Sequence, residues 1–328
     1  MVALVALPVT PAYAATCTCT AVGANPNWGT NASWTITGAG CPGSGSTFPG
    51  NTAGNTDNVV IAAGSAVALN VSPTQTIGTI TFNAGATANS LTFSGTQTLT
   101  AGAITINGTT ATNGNQPTLL NVGAGTLSAS SIALNPNNNN LNSNNRRVQI
   151  TISTGTVNVT GNLTTANVTP GTGTGVLFTG NGSLNIGGTF LTDVDALFTP
   201  GTSTINYNGA AQAVRAAAYN NLILSGTGVK TMPAGTSVTG NLSIAPTGSA
   251  TASIAAGQNL SVGSLTLGGL GRINGTWGGT GSGATNINTT YFAATTGFLT
   301  VGTDTRVAAS VTTWPTATGI TSGQALSS

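Results

Sequence analysis

One short phrase recurs along this chain and limits what it can fold into. Residues 98–106 read TLTAGAITI, 126–134 TLSASSIAL, 156–165 TVNVTGNLTT and 183–192 SLNIGGTFLT. Residues 236–244 read TSVTGNLSI, and 259–267 NLSVGSLTL. In each, a small polar residue precedes an aliphatic, a Gly, Asn, Ser or Thr step follows, and a second aliphatic pair closes the unit. The lead aliphatics, Leu99, Leu127, Val157, Leu184, Val238 and Leu260, lie 28, 30, 27, 54 and 22 residues apart, and 54 is twice 27. Repetition at this scale is expected of a solenoid, in which each coil buries its apolar edge against the next.

The local pattern agrees. Aliphatics alternate at Val59 and Ile61, Ile104 and Ile106, Ile150 and Ile152, and Leu222 and Leu224, the period of a strand whose side chains switch faces at every residue. This alternation speaks against disorder, which the richness in Gly and Ser would otherwise suggest. Asn-Gly pairs, as at 107–108 and 208–209, suit tight hairpins and so keep open an antiparallel sandwich or barrel. Coils of 22–30 residues hold about three short strands, whereas a hairpin array repeats at roughly half that length. The fold expected is therefore all-β, a parallel β-helix over residues 57–305 behind an irregular N-terminal cap at 16–56. The stretch Gln212 to Tyr219, rich in alanine, is expected to be a lateral turn.

The first residues, MVALVALPVTPAYA, form a short apolar run ending in the small-x-small triplet Ala12-Tyr13-Ala14. Residues 1–15 are expected to be a signal peptide cut after Ala14 or Ala15. The basic residues that usually open such a peptide are missing, so the natural start is expected upstream of Met1. No later stretch has the length of a membrane-spanning helix. Secretion makes a disulfide available: Cys41 is placed to join Cys17 or Cys19 and staple the cap, leaving one cysteine over.

Charge restricts function. Only 3% of the 328 residues are charged; there is no His, and the four acids are Asp57, Asp193, Asp195 and Asp304. A net charge of +2 makes no basic footprint, so nucleic acid is not an expected partner. Without His or Glu, no acid–base or Ser-His nucleophilic constellation forms, so the chain is expected not to be an enzyme and to need no cofactor. Asp193 and Asp195, read as i and i+2 on one strand, are the only weak metal candidates. Arg146 and Arg147, closing an Asn-rich loop at 135–147, are the candidate contacts for an anionic glycan.

Two stretches resemble known surface proteins. Trp28 and Trp34 followed by Asp57-Asn58-Val59-Val60-Ile61 resemble the opening of bacterial β-helical surface proteins. Residues 219–235, from Tyr219-Asn220-Asn221-Leu222 through Lys230-Thr231-Met232-Pro233, resemble the repeats of bacterial beta-strand-repeat proteins. Trp314 to Leu326 is similar to the first strand of a bacterial immunoglobulin-like repeat, so residues 306–328 read as a linker and the start of such a domain, truncated here. The resemblance implies an extracellular structural or adhesive module of a secreted or surface-attached bacterial protein. Binding of cell-surface or extracellular polysaccharide is the alternative, with ice binding and a degenerate polysaccharide lyase more remote. Uncovered strand edges at the ends would invite end-to-end self-association.

Overall fold

In a computed structural model, residues 15–110, 116–137, 147–166 and 168–306 are described. Residues 1–14 of the expected signal peptide, most of the Asn-rich loop with Arg146, and the immunoglobulin-like start at 314–326 lie outside them. The described chain is all-β. Its single short helix, Asn31–Ser33, is one 3-10 turn.

Most strands pair in parallel. A long sheet of eighteen strands accompanies a sheet of six and a sheet of three. The chain passes alternately between the long sheet and one of the others. Strands such as Thr98–Asn107, Thr126–Asn135 and Thr156–Val159 lie in the long sheet. Thr118–Gly123 and Val148–Ile152, in the six-stranded sheet, separate them in sequence. From Gln212 onward the three-stranded sheet of Gln212–Ala213, Val229–Met232 and Thr251–Ile254 takes over from the six-stranded one.

Register explains the repeated phrase. Leu99, Leu127, Val157 and Leu184 stand opposite one another on successive strands. The column continues through Ile205, Leu222, Leu242 and Leu265, and every member is fully buried. A second column runs Val59, Ile80, Ile104, Ile132 and Leu163. In the six-stranded sheet, Val67, Leu91, Leu120, Ile150 and Val176 do the same. Each buried aliphatic contributes roughly 1.5–3 kcal/mol before chain entropy is subtracted.

The polar step inside the phrase is a corner. In Thr98–Asn107, Leu99 and Ala101 are buried, Gly102 and Ala103 are not, and then Ile104 and Ile106 are buried. Two consecutive outward residues reverse the inside-outside phase, so both aliphatic pairs reach the core only if the strand turns there. Glycine suits the corner because neighbouring backbone comes close: a Cβ on Gly102 would lie 2.2 Å from the Gly78 carbonyl oxygen. Thr239-Gly240-Asn241 and Gly263-Ser264 occupy the same position in Ser237–Gly248 and Asn259–Leu267.

One expectation about spacing is corrected. The gap of 54 residues between Leu184 and Val238 is not two coils of 27. Ile205, Leu222 and Leu242 fall at steps of 21, 17 and 20, and Val238 pairs instead with Tyr219 and Val262. The rungs shorten because the two-residue strand Gln212–Ala213 and the four-residue Val229–Met232 replace longer passages. Antiparallel pairing, the alternative architecture, is confined to the two ends. The stretch Gln212 to Tyr219 is two strand ends joined by bends, as the sequence suggests.

Both ends of the long sheet are covered. The opening segment is less irregular than expected, because Thr16–Ala21 already pairs in parallel with Thr56–Ile61. Trp34–Thr37 lies antiparallel on its other side, and the Ser44 hydroxyl both accepts from the Ile36 N–H at 2.9 Å and donates to the Ile36 carbonyl. Trp28 and Trp34 meet edge to face at 5.1 Å, and their indole N–H groups donate to the Pro49 and Trp28 carbonyls. Cys17 is bonded to Cys41, and Cys19 is free and buried. At the other end, Gly275–Gly278, carrying Trp277, covers Phe298–Thr303. Tyr291 and Ala293 hydrogen-bond across Ala252 at the edge of the three-stranded sheet.

Candidate functional site

The six-stranded sheet ends at Leu197–Thr199 and the three-stranded one begins at Gln212–Ala213. Polar and ionisable side chains concentrate at this seam. The Arg215 guanidinium donates from Nη1 to the carbonyls of Leu191 (2.8 Å) and Asp193 (2.7 Å), and from Nη2 to those of Val194 (3.1 Å) and Ala196 (2.7 Å). Burial lowers its pKa. The Arg215 backbone is fixed as well: its N–H donates to the Tyr207 hydroxyl, and its carbonyl accepts from the Tyr219 hydroxyl. The two phenol oxygens are 3.0 Å apart. Their burial pushes Tyr207 up to about 12 and Tyr219 well above its ordinary range.

Lys230 is the larger surprise, because lysine is almost never fully buried without a partner. Its side chain is 0% exposed, and its Nζ donates to the Gly209 and Ala210 carbonyls and to Gln212 Oε1. Three acceptors match the three N–H groups of an ammonium. Burial pulls its pKa down to about 8. Gln212 Nε2 donates in turn to the Ile186 and Gly188 carbonyls, tying three successive rungs together.

Beside this network lies a cleft of about 370 Å³, lined by Phe190, Leu191, Val194, Val214 and Arg215 among others. Val194 is 87% exposed at the tip of the turn that Arg215 holds. Leu191 adopts the left-handed conformation (φ 48°), which is unfavourable for a side chain of its shape. A second depression, an open furrow of about 390 Å³, lies further along the long sheet and is lined, among the described residues, by Asn, Thr, Ser and Gly.

The strand placement of the acidic pair is corrected. Asp193 and Asp195 do not share a strand face; they lie in a turn. Asp193 Oδ1 accepts from the Asp195 N–H at 3.0 Å, the side-chain-to-backbone closure that Asp favours in turns, and Oδ2 accepts from the Val168 N–H at 2.8 Å. Both oxygens therefore hold backbone. Among the described residues no three His, Cys, Asp or Glu side chains come together. Arg147 Nε donates to Gln149 Oε1 at 3.3 Å; its neighbour in the proposed basic pair is outside the described residues. Asp57 is buried and accepts from the Gly50 N–H, so it too serves the cap. Cys19 is pushed up to about 12 by burial, with the nearby Asp57 charge adding to the effect, so it is not a reactive thiolate.

Sequence reasoning missed the seam. Lys230 and Arg215 stand in the sequence as ordinary cations, and all their acceptors but Gln212 Oε1 are backbone carbonyls, which leave no residue signature. No helix among the described residues is long and apolar enough to cross a membrane. No protein-family model, curated protein or solved structure matches this chain.

Proposed function

We propose that this chain winds as a parallel β-solenoid and serves as an extracellular structural and adhesive module of a bacterial secreted or surface protein, without catalysis. The observation that carries this reading is the continuous parallel pairing of successive strands from Leu99 to Leu265, with antiparallel strands covering the long sheet at both ends. Such a ladder has the form of a stiff rod, each rung touching only its neighbours. Covered ends leave few unpaired backbone groups for another chain to extend, which favours a discrete module over an end-to-end filament. The bonding at the seam agrees with a scaffold: Arg215 and Lys230 donate to carbonyls of neighbouring rungs.

Location is the test. Intact masses of the native product are taken separately from washed cells and from culture medium, with protease treatment of intact cells. A species on the cell surface or in the medium supports the module, and retention inside intact cells overturns it. Turnover of pectate or another polysaccharide by the purified chain would overturn the non-catalytic part.

A further inference from the structure

The outward faces of the long sheet differ in how their asparagines are used. Asn158, Asn185 and Asn206 stand on successive strands, and their amides are consumed within the protein. Asn158 Nδ2 donates to Ser128 Oγ (3.3 Å), Asn185 Nδ2 to Asn158 Oδ1 (2.8 Å) and Asn206 Nδ2 to Asn185 Oδ1 (3.0 Å). The pair at the corner of the later rungs is different. Asn221 Oδ1 accepts the Asn241 backbone N–H at 3.0 Å, which fixes the orientation of that amide. Asn241 Oδ1 accepts the hydroxyls of Ser264 (3.0 Å) and Thr266 (3.1 Å). Neither Nδ2 group has a hydrogen-bond partner among the described residues.

These two amides line the open furrow of about 390 Å³, with Thr239, Ser264, Thr303 and Thr305 beside them. Its floor is bare. A Cβ on Gly240 would lie 2.5 Å from Asn221 Oδ1, and one on Gly263 would lie 2.2 Å from the Thr239 carbonyl oxygen. Asn221 and Asn241 thus stand one rung apart, a backbone step of about 4.8 Å, close to the length of one pyranose unit. Among the described residues no charged side chain lines it. A ligand that fits is long, uncharged and rich in oxygen acceptors.

We propose that this furrow is a binding site for a neutral polysaccharide, with Asn221 and Asn241 as donors and Thr303 at its rim. The proposal rests on the adhesive half of the function above and names its ligand class. With no aromatic side chain among the described lining residues to stack on a sugar ring, each contact is weak, and retention depends on many units of one polymer presented together.

Affinity electrophoresis through native gels containing dextran, galactomannan or hydroxyethylcellulose tests this, with the full chain as the probe. Retardation by at least one polymer is expected. It should be lost in the Asn221→Asp/Asn241→Asp double variant, which keeps the acceptor oxygens that hold the corner, and in Thr303→Trp, which fills the furrow. Thr126→Ala, on the same sheet away from the furrow, should be retarded as the parent is. Circular dichroism melts confirm that the variants fold. No retardation by any of the three polymers, or equal retardation of the furrow variants, would overturn the site. A surface-located chain that shows no retardation keeps its location and loses this ligand, so the two failures are distinguishable.

Discussion

The rungs before Thr199 and the seam that follows solve the same stacking problem with different chemistry. Before the seam, aliphatics stand on aliphatics, as in the column Leu99, Leu127, Val157 and Leu184. At the seam, the rungs shorten and the second sheet is exchanged for the third. Parts of the interior are then held by Lys230, Gln212, Arg215, Tyr207 and Tyr219. Aliphatic stacking needs only matching size and register, so it repeats. A change of rung shape leaves backbone carbonyls of one rung without strand partners on the next, and long polar side chains are the groups able to reach them. The seam thus takes on polar desolvation to preserve a continuous register.

Breaking the aliphatic side of this comparison should cost most. Leu184→Asp places an unpaired charge in a fully buried column and should destabilise the protein by more than about 4 kcal/mol, with the rungs of Val157 and Ile205 opening together. Thermal melting combined with hydrogen exchange checks this; opening confined to one rung would show that the rungs are not coupled. Reducing the Cys17–Cys41 bond, which spans 24 residues, should cost about 3 kcal/mol. Exchange should then rise in the cap and leave the seam unchanged. Arg215→Ala strips donors from four carbonyls that partly reach water, and about 2 kcal/mol is expected in denaturant melts, with exchange rising first at residues 191–196.

The smallest effect separates the two regions by pH. Lys230 has its pKa lowered from 10.5 to about 8, so between these values the unfolded chain binds more protons than the folded one, and stability rises with pH. From pH 8 to 9 the gain should be about 1 kcal/mol. Cys19 and the two tyrosines are raised, so the folded chain holds their protons longer and stability falls again above about pH 9–10. Lys230→Met should abolish the rise and leave the fall. A rise that persists in this variant would remove Lys230 from the explanation.

What the sequence disclosed follows the same division. The all-β character and the column from Leu99 to Leu184 were legible, because a repeated phrase preserves its register. The cysteines near the start allowed Cys17 or Cys19 as the partner of Cys41, and only the strand position of Cys17 beside the Cys41 turn selects between them. Leu222 and Leu224 read as strand residues, but neither Ile205 nor Leu222 stands out as a continuation of the column, since the phrases around them, STINYNG and YNNLILSG, depart from the repeat where the rungs shorten. The variation in coil length falls in the connections, while the paired residues stay opposite one another. Asp193 and Asp195 looked like strand residues because Val194 and Ala196 alternate with them, a pattern that a turn closed by Asp193 also produces.

The most direct test of the account is the distance from rung to rung across the seam. Thr100, Ser128, Asn158, Asn185, Asn206, Ile223, Ser243 and Thr266 stand opposite one another in turn. Nitroxide labels at Thr100 and Ile223 are five rungs apart, and those at Thr100 and Thr266 are seven. Pulsed electron resonance should give separations of about 24 Å and about 34 Å, a constant step of roughly 4.8 Å per rung. A separation for either pair well off that line would contradict a single continuous parallel ladder.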